Sequence, residues 1–211
     1  MIELERKYLL RFKDVAKECI TKLSDRELGK LIGLAHEKQK NHYFIGGNSD
    51  SYAKLSVLMG YEIPVGFSIR TRQIGDSDSD TNLFIYAKSS LHGENRQEIS
   101  LELEGSDNTL EGIDDILLSF GFEVQSKWHR TRMPFIIKDQ SGYEINVAID
   151  NNSGYGYMAE IEIELDDSSS QEVIDKAIAK IELIQKKLGL VELDADILSS
   201  MYKYYCKHWE Y

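Results

Sequence analysis

The sequence is poor in cysteine and proline, with two of each among 211 residues. Cys19 and Cys206 lie near opposite ends of the chain, without CxxC spacing or a histidine cluster beside them. A disulfide framework or a zinc finger is therefore not expected. Because collagen-like and disordered chains are usually rich in proline, the low proline content and the 42% of hydrophobic residues indicate a globular protein with a core.

The sequence also lacks an excess of basic residues and any long apolar run. Acidic residues outnumber basic ones by 36 to 25, which gives a formal net charge of -11. A protein of this charge repels nucleic acid and anionic membrane surfaces. No apolar run is long enough to span a bilayer or to form the core of a signal peptide. We therefore predict a cytoplasmic protein that binds neither nucleic acid nor membrane.

Helical periodicity occurs in four segments, near residues 13–33, 108–119, 171–188 and 194–208. The third is the clearest, because its apolar residues recur every three or four positions between a serine cap and Gly189. No internal repeat or long linker interrupts the chain. We predict a single domain over residues 1–211, with strands within about 2–165 and C-terminal helices within about 171–208.

Alternation with period two predicts strands in the remaining segments. The predicted strands lie near residues 2–10, 35–45, 65–74, 82–89, 95–104, 123–133, 134–139, 143–150 and 157–165. The connections between them are too short for parallel crossovers, so the pattern favours an antiparallel α+β fold.

The polar faces of these strands carry clusters of mainly one sign. The acidic clusters include Glu3 with Glu5 and Glu160 with Glu162, and the basic pairs are Arg70 with Arg72 and Arg130 with Arg132. Two carboxylates at positions i and i+2 of a strand lie about 6–7 Å apart, which suits a shared divalent cation. Two arginines at this spacing suit successive phosphate groups, because the guanidinium group pairs bidentately with phosphate oxygens.

Such clusters have two interpretations. Acidic strands beside basic strands can form surface ladders that bind nothing, and for any single pair of charges this is the expected interpretation. For the whole set, like charges side by side are better tolerated where metal ions and polyanions lie between them. With amphipathic helices covering the apolar face, the pattern predicts a closed antiparallel barrel around a polar channel.

The order of these charged elements resembles that of a known family. Glu3-x-Glu5-x-Lys7 at the start of the chain resembles the ExExK signature of the CYTH superfamily, the triphosphate tunnel metalloenzymes. Further elements follow in the family's order over about residues 2–165. They are Tyr43-Phe44, Ser68 to Arg72, Ile85 to Lys88, Arg96-x-Glu98, Arg130-x-Arg132-x-x-Phe135, Asp150, and Gly154 to Glu162.

The resemblance implies an eight-stranded antiparallel tunnel that binds a triphosphate with Mg²⁺ or Mn²⁺. The triphosphate would be bound by Lys7, Arg70, Arg72, Lys88, Arg130 and Arg132, with Lys203 of the last helix as a further candidate. The metal ions would be bound by Glu3, Glu5, Glu98, Asp150, Glu160 and Glu162. We expect the catalytic set to be Glu3, Glu5, Lys7 and Arg72.

The main functional prediction is a metal-dependent hydrolase of inorganic triphosphate or of an organic triphosphate. The first alternative is a class IV adenylyl cyclase, which converts ATP to cyclic AMP and pyrophosphate in the same tunnel. The second is a non-catalytic module that binds polyphosphate or nucleotide. It stays open because Ile45-Gly46 replaces the family's frequent Asp-Thr and Ser100 replaces a frequent acidic residue. We expect a small-molecule triphosphate partner and a monomer or homodimer.

Overall fold

The computed structural model of the chain describes residues 2–25, 28–75, 81–89, 95–96, 98–103, 108–152, 156–166, 168–192 and 194–209. The elements in chain order are β1 (Ile2–Leu9), α1 (Lys13–Ser24), β2 (Lys30–Leu34), β3 (Glu37–Gly46), α2 (Ser49–Met59), β4 (Ser68–Ile74), β5 (Asn82–Lys88), β6 (Asn95–Arg96), β7 (Glu98–Leu103), α3 (Leu110–Ser119), β8 (Phe122–Lys138), β9 (Glu144–Asn152), β10 (Gly156–Leu165), α4 (Gln171–Leu188) and α5 (Ala195–His208). The described chain is thus of the predicted α+β class. Strand β1 pairs antiparallel with β10 and β6, β9 with β10 and β8, β2 with β8, β4 with β3 and β5, and β5 with β7.

The chain divides into two compact units. Unit 1 comprises Met1–Glu37, Gly93–Arg96 and Arg130–Tyr202. Unit 2 comprises Lys38–His92, Gln97–His129 and Lys203–Tyr211. Strand β8 and helix α5 therefore each contribute residues to both units.

In unit 1, the strand order is β6-β1-β10-β9-β8, and β2 pairs with β8. The apolar face of this sheet packs against α1 and α4 in one core cluster, in which Tyr8 and Ile161 are fully buried. Helix α4 adds Ile181 and Ile184 from its apolar stripe. Burial of each such side chain contributes about 1.5–3 kcal/mol. The opposite face of the sheet keeps the alternating charged residues of β1 and β10.

In unit 2, the strand order is β8-β3-β4-β5-β7. A second core cluster contains Ile69 and Ile85 from the sheet, Leu55 from α2 and Leu117 from α3. Because strand side chains alternate, burial of Ile69 leaves Arg70 and Arg72 on the other face of β4. The alternation predicted from the sequence therefore orients both arginines away from the apolar core.

The predicted closed eight-stranded barrel is wrong. In the described residues, nine strands follow one another in a hydrogen-bonded order that ends at β6 and β7, and β2 is a tenth strand off this path. A closed barrel needs a partner on both edges of every strand. The segment predicted as one strand over 95–104 instead gives β6, which pairs with β1, and β7, which pairs with β5.

Three local differences between the predicted and the observed secondary structure have identifiable causes. Helix α1 ends at Ser24 and not near residue 33, because Lys30–Leu34 pairs with β8 as a strand. Helix α2 was not predicted, although the Asn48 side chain accepts hydrogen bonds from the amides of Asp50 and Ser51 in a capping box. Strand β8 continues through Pro134, whose carbonyl accepts a hydrogen bond from the amide of Ala35.

Among the described helices, none combines the length and apolar character that a membrane span requires.

Candidate functional site

Three of the predicted metal ligands meet on the charged face of the unit 1 sheet. The pairing of β1 with β10 places Glu5 opposite Glu162 and Glu3 opposite Glu164. Glu3, Glu5 and Glu162 each present one carboxylate oxygen, and these three oxygens lie within 4.8 Å of one another. We call these three residues the carboxylate cluster. Its oxygens are close enough together to bind one cation.

The carboxylate cluster holds more negative charge than its surroundings stabilise. Burial, the charges of Glu160 and Glu3, and a hydrogen bond with Glu3 raise the pKa of Glu162 from 4.5 to about 8. At neutral pH the Glu162 carboxyl therefore keeps a proton. A divalent cation can replace this proton, because carboxylate oxygens are the preferred ligands of Mg²⁺ and suit Mn²⁺. The residues of the cluster thus fit a hard divalent metal ion.

Two further predicted metal ligands, Asp150 and Glu160, are paired with bases in unit 1. Arg132 donates to both Asp150 oxygens at 2.9 Å and to Glu160 Oε1 at 2.8 Å. Arg130 donates to Asp150 Oδ2 at 3.1 Å. Burial opposes ionisation of Glu160, but the charges of Arg132, Lys7 and Arg130 outweigh it and hold the Glu160 pKa well below its usual range. Both carboxylates therefore serve to position the arginines.

Lys7 links this ion-pair network to the carboxylate cluster. Its Nζ donates to Glu5 Oε1 at 2.8 Å and lies 3.4 Å from Glu160 Oε2. The side chain of Lys7 is 30% exposed, whereas that of Glu5 is 7% exposed. The ammonium group is thus the more accessible partner, and an incoming anion can contact it without displacing Glu5.

A pocket of about 420 Å³ adjoins the carboxylate cluster within unit 1. Its polar lining includes Glu160, Glu162 and Asn146, and its apolar lining includes Leu34 and Ile136. This pocket was not predicted, because a helix was expected over about residues 13–33, whereas Gly33 and Leu34 lie in β2 and line the pocket. The alternation of side chains along β8 could have indicated part of its lining, because Pro134 and Ile136 lie on the same face of the strand as Arg130 and Arg132.

In unit 2, aromatic rings hold the predicted phosphate-binding arginines. The guanidinium groups of Arg70 and Arg72 lie 4.5 and 4.8 Å from the centre of the Tyr86 ring. Arg70 Nη1 donates to the Tyr43 hydroxyl at 3.3 Å, and Arg72 Nε donates to Asn41 Oδ1 at 2.8 Å. A cation–π contact fixes a guanidinium without cancelling its charge. The Nε atom of Arg70 is also buried, and no acceptor among the described residues contacts it, so Arg70 has capacity to bind an anion.

The three remaining predicted site residues also lie in unit 2. Lys88 Nζ forms an ion pair with Glu98 Oε2 at 2.5 Å, and both side chains are less than a third exposed. Lys203 is an exposed residue of α5. Of the six predicted metal ligands, Glu3, Glu5 and Glu162 form a cluster, in which Glu5 is also ion-paired with Lys7. Glu98, Asp150 and Glu160 are paired with bases and lie outside the cluster.

A buried polar network behind the arginines was missed by the sequence analysis. Asp114 of α3 accepts a hydrogen bond from Thr71 at 2.8 Å, and its other oxygen lies 2.5 Å from His42 Nδ1 and 3.3 Å from Lys127 Nζ. The sequence could have indicated this network, because Asp114 is an acidic residue within the apolar stripe of a helix, beside Ile113 and Leu117. Such residues need buried partners, because an unpaired charge in a core is costly.

No protein-family model matches the chain. No curated protein matches its sequence. Among solved structures, a protein from Pyrococcus horikoshii is 19% identical and has a TM-score of 0.64, with 91% of this chain and 93% of that chain covered.

Two other structural neighbours have names that refer to an activity. A provisionally named adenylate cyclase from Vibrio parahaemolyticus is 15% identical, with 95% of this chain and 98% of that chain covered and a TM-score of 0.60. A provisionally named adenylyl cyclase from Hippeastrum, described as having a dominant triphosphatase activity, is 15% identical, with 95% of both chains covered and a TM-score of 0.52. At these identities, the likeness shows that the chain has the fold of these proteins.

Proposed function

We propose that the protein is a metal-dependent triphosphate hydrolase whose reaction centre is the carboxylate cluster with Lys7, Arg130 and Arg132. The observation that carries the proposal is the convergence of Glu3, Glu5 and Glu162 within 4.8 Å. The resemblance of the charged strands to the CYTH superfamily and the triphosphatase activity named for the Hippeastrum neighbour support the same reaction class.

The three carboxylates would hold Mg²⁺ or Mn²⁺. Such an ion, when bound, supplies charge neutralisation at phosphate oxygens and lowers the pKa of a water bound to it. Lys7 Nζ and the guanidinium groups of Arg130 and Arg132 would bind and orient phosphate oxygens. Asp150 and Glu160 hold those guanidinium groups in fixed orientations, which lowers the entropy lost when a substrate is positioned. Hydrolysis adds one water across a P–O–P bond. Tripolyphosphate then gives orthophosphate and pyrophosphate, and an organic triphosphate gives its diphosphate with orthophosphate or its monophosphate with pyrophosphate.

In unit 2, Arg70, Arg72 and Lys88 are proposed as a phosphate-binding group. The support is the positive charge of Arg70, which Tyr43 and Tyr86 orient by hydrogen bonding and ring contacts. A rigid guanidinium fork matches the geometry of phosphate oxygens. Arg72→Ala should therefore weaken binding of tripolyphosphate while leaving the far-UV circular dichroism spectrum unchanged.

The second candidate function is an adenylyl cyclase, as the name of the Vibrio parahaemolyticus neighbour suggests for that protein. In that reaction, the 3′-hydroxyl of ATP attacks the α-phosphate and pyrophosphate leaves. The charged residues required would be the same. The two candidates differ in their products, so product analysis separates them.

The test incubates the protein with tripolyphosphate, thiamine triphosphate or ATP, each with Mg²⁺ or Mn²⁺. Release of orthophosphate supports hydrolysis, whereas cyclic AMP with pyrophosphate supports cyclisation. Glu162→Gln should abolish turnover, because it removes one carboxylate of the cluster. Glu144→Gln is a matched control, since Glu144 is an exposed carboxylate on strand β9 of the same unit and lies outside the cluster. Full metal-dependent turnover by Glu162→Gln would exclude the proposed centre.

A further inference from the structure

The two arginines of strand β4 belong to consecutive cross-strand pairs with β3. The register places three pairs side by side, which are Asn41 with Arg72, His42 with Thr71, and Tyr43 with Arg70. In the first pair, Arg72 Nε donates to Asn41 Oδ1 at 2.8 Å. In the third pair, Arg70 Nη1 donates to the Tyr43 hydroxyl at 3.3 Å. The orientation of both guanidinium groups therefore depends on how β3 is aligned with β4.

His42 and Thr71, which we call the central pair, point to the opposite face of the sheet because side chains alternate along a strand. Both are fully buried there. Thr71 Oγ1 donates to Oδ1 of Asp114 on helix α3 at 2.8 Å. The other carboxylate oxygen of Asp114, Oδ2, lies 2.5 Å from His42 Nδ1. One carboxylate thus ties β3 to β4 at the pair that lies between the two arginines.

The environment of Asp114 makes these contacts strong. Its side chain is 5% exposed, and Lys127 Nζ lies 3.3 Å from Asp114 Oδ2. Hydrogen bonds to a charged group are roughly twice as strong as those between neutral groups, and the low dielectric of a buried site strengthens them further. Because Asp114 lies behind the sheet from the guanidinium groups, it acts on them only through its contacts with the strands.

We infer that Asp114 is a positioning residue: by holding the central pair, it fixes the orientation of Arg70 and Arg72 and so sets their affinity for the phosphate chain of a triphosphate. The inference rests on the proposed function, in which these two arginines bind phosphate. A misplacement of about 1 Å in a group that orients a substrate can cost on the order of 100-fold in rate. Release of the central pair therefore weakens phosphate binding by both arginines at once.

Four variants separate positioning from general stability. Asp114→Ala removes both contacts with the central pair, and Thr71→Val removes one hydroxyl while keeping a side chain of similar volume. Asp114→Asn is the conservative variant, because it keeps an oxygen that can accept from Thr71. Leu117→Ala is the matched control, since Leu117 is fully buried on the same helix. Its loss destabilises the protein by leaving a cavity, but its side chain has no hydrogen bond to lose.

The first measurement needs no ligand. NMR of isotope-labelled arginine side chains reports the rate of hydrogen exchange at Arg72 Nε, the group that donates to Asn41. Exchange should be faster by about tenfold in Asp114→Ala, the equivalent of losing one hydrogen bond, and faster by a smaller factor in Thr71→Val. Leu117→Ala and Asp114→Asn should keep the exchange rate of the unmodified protein.

The second measurement is the affinity for tripolyphosphate with Mg²⁺, by calorimetry under conditions in which circular dichroism shows that the variants are folded. Asp114→Ala should bind about tenfold more weakly, and Asp114→Asn should recover most of this loss. In turnover, the change should appear in KM more than in kcat, because the arginines bind the substrate and the carboxylate cluster is the proposed reaction centre.

Equal weakening of binding in Asp114→Ala and Leu117→Ala would reduce the role of Asp114 to general stability and overturn the inference. Unchanged exchange and affinity in both Asp114→Ala and Thr71→Val would also overturn it. If Asp114→Ala does not fold, the comparison of Thr71→Val with Leu117→Ala decides in its place.

The inference and the proposed function can fail separately. If the unmodified protein binds no tripolyphosphate, the proposed phosphate-binding role of the arginines is wrong, and the exchange rate at Arg72 Nε decides whether Asp114 orients them. If the unmodified protein hydrolyses tripolyphosphate and Asp114→Ala is indistinguishable from it in both measurements, the inference is wrong and the hydrolase proposal stands.

Discussion

Asp114 accepts a hydrogen bond from Thr71, the residue that separates Arg70 from Arg72 on strand β4. The Thr71 Oγ1 to Asp114 Oδ1 distance is 2.8 Å, and both side chains are buried. Because Thr71 points to the opposite face from the two arginines, Asp114 fixes the backbone behind them. Its contacts with His42 and Lys127 connect β3, β4 and the first part of β8 to helix α3. One buried carboxylate thus holds three strands of unit 2 in register.

Asp114→Ala should lower the free energy of unfolding by about 3–5 kcal/mol, the cost of removing one partner from a buried ionic network. The variant leaves the buried Thr71 hydroxyl and His42 ring without this acceptor. Chemical denaturation followed by circular dichroism measures the change. Asp115→Ala is the matched control, because Asp115 is the next residue on the helix and is exposed. A similar loss in both variants would show that the network does not stabilise the sheet.

Tyr86→Leu should weaken binding of tripolyphosphate, because the Tyr86 ring contacts both guanidinium groups. Cation–π contacts contribute about 0.5–2 kcal/mol each, and losing them frees the arginine side chains to adopt other rotamers. Tyr86→Phe keeps the ring and should retain binding. Tyr61→Leu controls for general loss of an aromatic residue, since Tyr61 is 60% exposed. Calorimetry on all three variants measures the difference, and equal affinities would contradict a positioning role for the ring.

Gly47→Ala should be more destabilising than Gly60→Ala. Both glycines have positive φ angles, 76° and 71°, so both substitutions carry the same backbone strain. A Cβ atom on Gly47 would lie 2.6 Å from Cε1 of the buried Phe122, whereas nothing lies within 4 Å of a Cβ on Gly60. The additional cost of overpacking is about 1–3 kcal/mol. Thermal unfolding compares the two variants, and equal melting temperatures would show that Phe122 can move aside.

The alternation of polar and apolar residues correctly predicted which residues lie on the charged faces of the strands. It did not predict which charged residues of neighbouring strands contact one another. The faces of Glu3 and Glu5 on β1 and of Glu162 on β10 follow from period two, because backbone geometry alone fixes that period. The juxtaposition of Glu5 with Glu162 depends on strand register, which is set by contacts distant in sequence. The contact of Asp150 with Arg132 could not be predicted from the sequence for the same reason. This bidentate contact depends on the pairing of β8 with β9.

The elements that sequence reasoning missed are short or ambiguous. Lys30–Leu34 follows a helix and contains Leu31 and Leu34 at helical spacing, so its strand conformation results from pairing with β8. Helix α2 has a weak apolar stripe, and its capping residue Asn48 was the main available signal. The pocket in unit 1 depends on β2, because Leu34 forms part of its lining. A local error in secondary structure therefore concealed a feature of the site.

The carboxylate cluster predicts how stability responds to pH and to metal. Because the folded protein raises the pKa of Glu162 from 4.5 to about 8, it binds a proton in this interval that the unfolded chain releases. The contribution of Glu162 to stability is therefore full below about 4.5 and is lost as pH rises through about 8. In EDTA, the free energy of unfolding of Glu162→Gln should lack this decline with pH. Denaturation of both proteins at a series of pH values measures the difference.

Addition of Mg²⁺ or Mn²⁺ should reverse this trend in the unmodified protein. The cation competes with the Glu162 proton, so stabilisation by metal should increase as pH rises towards 8. Glu162→Gln should gain little from the metal at any pH, whereas Glu144→Gln should behave like the unmodified protein because Glu144 is exposed and lies outside the cluster. Equal, pH-independent stabilisation of all three proteins would place the metal elsewhere. Loss of the response in Glu162→Gln alone would link the proton and the metal ion to the same carboxylate.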